Sequence, residues 1–211
     1  MSVQEFNYQT LTARLMRLAK LDTSVFEEVR LDASATIPSV VVAVVATFLA
    51  GLGGWLYWII AADAEAGSGD VLIKSAILGT VFSVALWIAW VFIVYAILTQ
   101  VFKAQADVQQ LVRTMGMAAA PLALSVLMFI PEISFAIALA SVVMFYGLTT
   151  LAILVTTNAQ PAQVMVANLA GFAVWAIVLT ILAGDFSYSL SGGISVNIYS
   201  PGIFLFGNGF G

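Results

Sequence analysis

Long stretches of this chain carry no charged side chain. None falls between Lys74 and Lys103, and none between Glu132 and Asp185. A helix on the surface of a soluble domain shows a polar stripe in such a stretch, and these show none. They belong to apolar runs at Ile37–Ala61, Leu72–Phe102, Gly116–Pro131, Ile133–Thr156 and Ala162–Ala183, cut by short polar gaps. A helix rises about 1.5 Å per residue, so about 20 residues cross the hydrocarbon core of a bilayer. Four runs reach that length. The third is short and reads as a span because Pro131 and Glu132 turn it into a hairpin with the fourth. The expected fold class is therefore all-α, a polytopic transmembrane helix bundle of five spans. It divides into an amphipathic N-terminal segment (1–36), the bundle (37–183) and a tail (184–211).

The chemistry open to the chain is narrow. Charged residues make up 9% of it and apolar ones 62%, far from the balance of a soluble domain. The net charge of −4 gives no electrostatic grip on nucleic acid. There is no cysteine and no histidine, so thiolate chemistry, the usual haem ligand and the usual general base at neutral pH are all missing. Asp63, Glu65 and Asp70 cluster in one gap, but their spacing matches no calcium loop. No catalytic constellation, metal site or cofactor is expected. The ionisable residues sit near the ends of the spans, whereas a proton or ion path needs them at depth.

The basic residues orient the bundle. Arg14, Arg17, Lys20 and Arg30 precede the first span, Lys103 and Arg113 lie between the second and third, and Lys74 alone falls in a gap of the other parity. By the positive-inside rule the N-terminus is cytoplasmic and the C-terminus external. Within the N-terminal segment Leu11, Leu15, Leu18 and Leu21 share a helical face, with Arg14, Arg17 and Lys20 on its flank. That pattern fits a helix lying in the headgroup layer with its cations on anionic lipid. A helix packed against the protein's own spans is the alternative. Further on, Ser24 and Glu27 have the spacing of a capping box.

Small residues mark where helices can approach. Ala46, Ala50 and Gly54 recur at four-residue spacing in the first span, Ser75, Gly79 and Ser83 in the second, and Ala167 and Gly171 in the fifth. Such columns let backbones pack closely in lipid, and Asn168 is expected to hydrogen-bond to a neighbouring helix. In the tail, Ile194, Val196 and Ile198 alternate with Ser195, Asn197 and Tyr199, followed by Pro201-Gly202 and the apolar run Ile203–Phe206. This reads as a short β-hairpin. Its apolar side chains, among them Val196, Tyr199, Phe204 and Phe206, suit pairing with a partner chain or a second copy.

Two segments resemble the Yip1-domain family of five-span membrane proteins. One is Phe26-Glu27-Glu28-Val29-Arg30-Leu31-Asp32, which leads into the first span and resembles that family's amphipathic approach to the membrane. The other runs from Lys103 to Leu122, where Gly116-Met117-Ala118-Ala119-Ala120-Pro121 is similar to the family's Gly-Tyr-x-x-x-Pro. The resemblance covers about residues 8–183 and, being closest to prokaryotic members, implies a five-span fold in a prokaryotic cytoplasmic membrane. The eukaryotic members' Asp-Leu-Tyr-Gly-Pro motif is absent.

The expected function is that of a non-enzymatic integral membrane protein acting through membrane lipids and other membrane subunits or copies of itself. An accessory subunit of a larger, energy-converting complex is the second reading. A small-solute channel or transporter is the third, and it requires a wet cavity lined by Asn168, Thr47 or Ser83. Orientation is directly measurable, because the chain has no cysteine of its own. A single cysteine replacing Ser68 should react with an impermeant thiol reagent added outside sealed cells, and one replacing Gln105 should not. Equal labelling at both positions would reverse or break the topology.

Overall fold

The structure, a computed structural model, describes residues 8–61 and 72–183. Almost all of these are helical, and no strand occurs among them. Five helices are long and apolar enough to cross a membrane: Ala33–Tyr57, Ile73–Val101, Val108–Phe129, Pro131–Thr156 and Pro161–Leu182. They are called the first to fifth long helices below. Two short helices precede them, α1 (Tyr8–Ala19) and α2 (Ser24–Leu31). The expected hairpin, with Val196, Tyr199, Phe204 and Phe206, lies outside the described residues.

Residues group into two compact units, and each long helix contributes to both. Among the described residues, one comprises 8–44, 88–120 and 144–172, and the other comprises 45–61, 72–87, 121–143 and 173–183.

The first unit contains α1 and α2. Leu18 of α1 and Val25, Phe26 and Val29 of α2 are buried with Ala35, Val42, Met117, Ala118, Leu148 and Ala152. Leu11 and Leu15 pack partly buried against the same cluster. The leucine face of α1 thus covers the protein's own core. Leu21 departs from that face: its φ of 62° breaks the helix, and its side chain is exposed. Asp22 then starts α2, its Oδ1 accepting from both Ser24 N at 3.1 Å and Ser24 Oγ at 2.5 Å. The capping box expected from Ser24 and Glu27 does not form. A carboxylate two residues upstream already satisfies the Ser24 amide, and Glu27 instead pairs with Arg30.

The third long helix begins eight residues before the expected start at Gly116. Asp107 caps it by accepting from Gln110 N at 2.9 Å, and α-helix runs from Val108 to Ala118. Arg113, read as a loop residue between spans, is therefore inside a helix. Pro121 has no N–H to continue the α-helical pattern, and Ala120–Phe129 is wound as a 3₁₀-helix. That winding rises about 2.0 Å per residue instead of about 1.5 Å. Ten residues then cover about 20 Å where an α-helix would cover about 15 Å, which makes this segment longer than its residue count suggests.

Glycines set the tightest approaches. In the second unit, a Cβ on Gly51 would collide with the backbone of Ser75 and Ala76, and one on Gly53 with the backbone of Ser125 and Val126. In the first unit, a Cβ on Gly116 would lie 2.7 Å from the Ser39 carbonyl oxygen, and one on Gly171 would strike the Trp90 ring. Gly147 has open space around the same position.

This contrast gives a paired prediction. Gly171→Ala should destabilise the protein by about 1–3 kcal/mol, the usual cost of overpacking, because Trp90 is held in place by neighbours on several sides. Gly147→Ala should stabilise it by about 0.5–1 kcal/mol through helix propensity alone. Thermal unfolding in one detergent ranks the two variants. Equal melting temperatures would remove the Trp90 contact as a packing constraint.

Candidate functional site

Three polar constructions stand out in the first unit, and each ties together segments far apart in sequence.

The first is a fan of ion pairs between α1 and α2. Arg14 Nε lies 2.9 Å from Glu28 Oε1, and Arg14 Nη2 lies 2.7 Å from Asp32 Oδ2. Arg17 Nε lies 2.8 Å from Asp22 Oδ2, and Arg17 Nη1 lies 2.7 Å from Glu28 Oε2. Glu28 bridges the two arginines, and its carboxyl is held below the usual range chiefly by the Arg14 hydrogen bond. Asp22 is held down to about 2 by Ser24 and Arg17. At Asp32 burial works the other way, but Ser34 and Arg14 outweigh it and hold the carboxyl low. The sequence pattern placed Arg14, Arg17 and Lys20 together at the lipid surface. Here Arg14 is only 8% exposed and turned onto two carboxylates, because burying a guanidinium requires paired acceptors. Arg17 is half-buried and paired, and Lys20 is exposed.

The second construction surrounds Arg113, which is 7% exposed. Its Nε donates to Thr36 Oγ1 at 2.8 Å, Nη1 to the Arg30 carbonyl at 3.1 Å and Nη2 to Gln109 Oε1 at 3.3 Å. All three acceptors are neutral, and among the described residues no carboxylate pairs with Arg113. Beside it a cavity of about 410 Å³ is lined by Arg30, Gln105, Ala106, Asp107, Gln110, Val155, Thr156, Thr157 and Asn158. Asn158 Oδ1 accepts from Gln105 N at 2.7 Å and so joins the two loops that form its walls.

The third construction lies among the long helices. Trp90 Nε1 donates to Asn168 Oδ1 at 3.1 Å, and Asn168 Nδ2 donates to Thr150 Oγ1 at 2.7 Å and to the Tyr146 carbonyl at 3.4 Å. Phe145 and Phe172 pack edge-on to Trp90 at centroid distances of 5.2 and 5.5 Å. Asn168 thus makes the interhelical contacts that an amide in an apolar bundle requires, and Gly171 stands one turn further along, against the same tryptophan.

In the second unit Ala46, Ala50 and Gly54 are buried on the first long helix, and Ser75, Gly79 and Ser83 on the second. The structure brings Ser75 against Gly51 and gives the Ser83 carbonyl to Trp175 Nε1 at 3.2 Å. Sequence reasoning missed the cavity and the setting of Arg113. Two signals were available: Asp107 stands three residues before Gln110 in an N-cap pattern, and Asn158 stands just before Pro161. No family model, curated protein or solved structure matches the chain.

The ion-pair fan predicts a pH dependence. Asp22, Glu28 and Asp32 all have folded pKa values below their unfolded ones. Their contribution is complete above the unfolded carboxylate range of about 4, and it is lost as pH falls through the folded values. Docking of α1 and α2 should therefore weaken between about pH 4 and pH 2. Pepsin cleavage within residues 8–31 should rise over that window in the parent protein. In Arg14→Gln the rise should begin at higher pH. A cleavage rate with the same pH dependence in both proteins would show that the fan does not hold the helices.

Proposed function

We propose that this protein is a non-enzymatic integral membrane protein of Yip1-like type that acts by contacts with lipid and with protein partners. In this reading the N-terminus is cytoplasmic, the membrane is a prokaryotic cytoplasmic membrane, and α1 and α2 form the working face. The observation that carries the reading is the double-sided character of that helix pair. One side is fixed on the core through Leu18, Val25, Phe26 and Val29. The other leaves large apolar side chains uncovered, with Met16 67% and Leu31 68% exposed and Tyr8 and Leu21 exposed beside them. Apolar side chains fixed in that position by an ion-pair fan, next to the exposed Lys20 ammonium, suit the boundary between headgroups and acyl chains or a partner's apolar surface.

A solute pathway through the bundle is less well supported. The amide of Asn168 has its oxygen and nitrogen engaged by Trp90, Thr150 and Tyr146, which leaves it little capacity to bind a passing solute.

The reading is tested with a photo-crosslinking residue placed in turn at Met16, Leu31 and, as a reference, the exposed but polar Thr12. In native membranes the first two should give lipid or protein adducts at several times the yield at Thr12. Indistinguishable yields at the three positions would mean that this face touches nothing in particular.

A further inference from the structure

The cavity beside Arg113 has a chemical character of its own. It is walled by the loop that caps the third long helix, by the end of the fourth, and by Arg30 just before the first. Its lining therefore lies where apolar helices give way to polar loops, the level at which lipid headgroups sit. Arg30 brings a guanidinium whose Nε is buried without a hydrogen-bond partner. The neighbouring Arg113 does not line the cavity, but its acceptors among the described residues are three neutral oxygens. Arg30 gives Nη2 to Glu27, and a guanidinium with further donors to spare favours an anion nearby. Asn158 gives its oxygen to Gln105 N, which leaves its amide N–H groups to donate, and Gln105 and Gln110 line the same space.

One lining residue opposes a simple anion site. Asp107 stands in the wall, and among the described residues its Oδ1 alone is taken, by Gln110 N. A free anion would meet that carboxylate, and a free cation would meet the Arg30 guanidinium. A group carrying both charges satisfies both ends. We propose that this cavity binds a phosphodiester that also bears a primary amine, the phosphoethanolamine class, with the phosphate on Arg30 and the ammonium on Asp107. The volume of about 410 Å³ lies within the range of small-ligand sites. The proposal rests on the lipid-contact reading above and names the lipid chemistry involved. The same group occurs on a lipid or on a soluble glycerol ester, and the test separates the two.

Binding is measured on the full-length protein in detergent, by native mass spectrometry and thermal shift. The probes are phosphatidylethanolamine, phosphatidylglycerol and phosphatidylcholine of matched chain length, with soluble glycerophosphoethanolamine as competitor. Phosphatidylethanolamine should bind about tenfold more tightly than the other two, the effect of one charge-assisted hydrogen bond. Arg30→Gln should weaken it by about tenfold. Asp107→Asn keeps a good helix cap and should erase the preference over phosphatidylglycerol, weakening phosphatidylethanolamine and tightening phosphatidylglycerol as the carboxylate that repels it is removed. Glu27→Gln, which breaks the Arg30 ion pair outside the cavity, controls for folding and should bind no more weakly than the parent. Competition by glycerophosphoethanolamine at equal affinity assigns the site to the soluble form of this chemistry, and failure to compete assigns it to the lipid. Equal binding of all three lipids by the parent protein, or parental affinity in Arg30→Gln, overturns the site. Crosslinks at Met16 and Leu31 that persist in that case would leave the wider functional reading standing.

Discussion

Lipid offers no hydrogen bonds, and every other feature of the bundle follows from that constraint. Each backbone amide must be satisfied within its own helix, and apolar side chains gain nothing by leaving lipid for one another. Helices then hold together by close van der Waals contact and by a few interhelical hydrogen bonds. Both devices appear here. Gly51 and Gly53 let their helix meet neighbouring backbones directly, while Trp90, Asn168 and Thr150 form a satisfied chain of donors and acceptors. The exposed faces of the same helices carry Val81, Phe92, Val143, Val166 and Ile177, which suit acyl chains.

Away from the apolar helices the rule changes and charge becomes useful. α1 is too short and too polar to hold itself in place, so three leucines and two arginines fasten it. The arginines do more than neutralise acids. Arg14 and Arg17 converge on Glu28 from different turns of α1, which fixes the rotation of α1 about its axis as well as its distance from α2. Arg113 does comparable work with neutral acceptors, joining α2, the start of the first long helix and the third long helix through one guanidinium.

The five long helices were legible in the sequence because absence of charge is a property of each segment alone. The start of the third was not, because Gln109, Gln110 and Arg113 look like loop residues until their partners are known. Arg14 shows the same limit: its sign and helical position are plain, but Glu28 and Asp32 lie 14 and 18 residues away. The four-residue column ending at Gly54 identified the buried side of the first long helix. The backbone clashes that forbid a side chain fall at Gly51 and Gly53 instead, since crossing geometry decides which residue meets the neighbour and sequence spacing does not contain it. Asn168 was found because a lone amide in an apolar helix has few alternatives to a partner.

The two tryptophan hydrogen bonds bear on how the chain is assembled. Trp90 to Asn168 spans 78 residues, and Trp175 to Ser83 spans 92. Both join the second long helix to the fifth. During synthesis the second helix enters the membrane long before the fifth exists. Throughout that interval Trp90 carries an indole N–H that its eventual acceptor is not yet there to receive. These two contacts can therefore form only after the fifth long helix has joined the second, so a chain that stops before Asn168 lacks both of them.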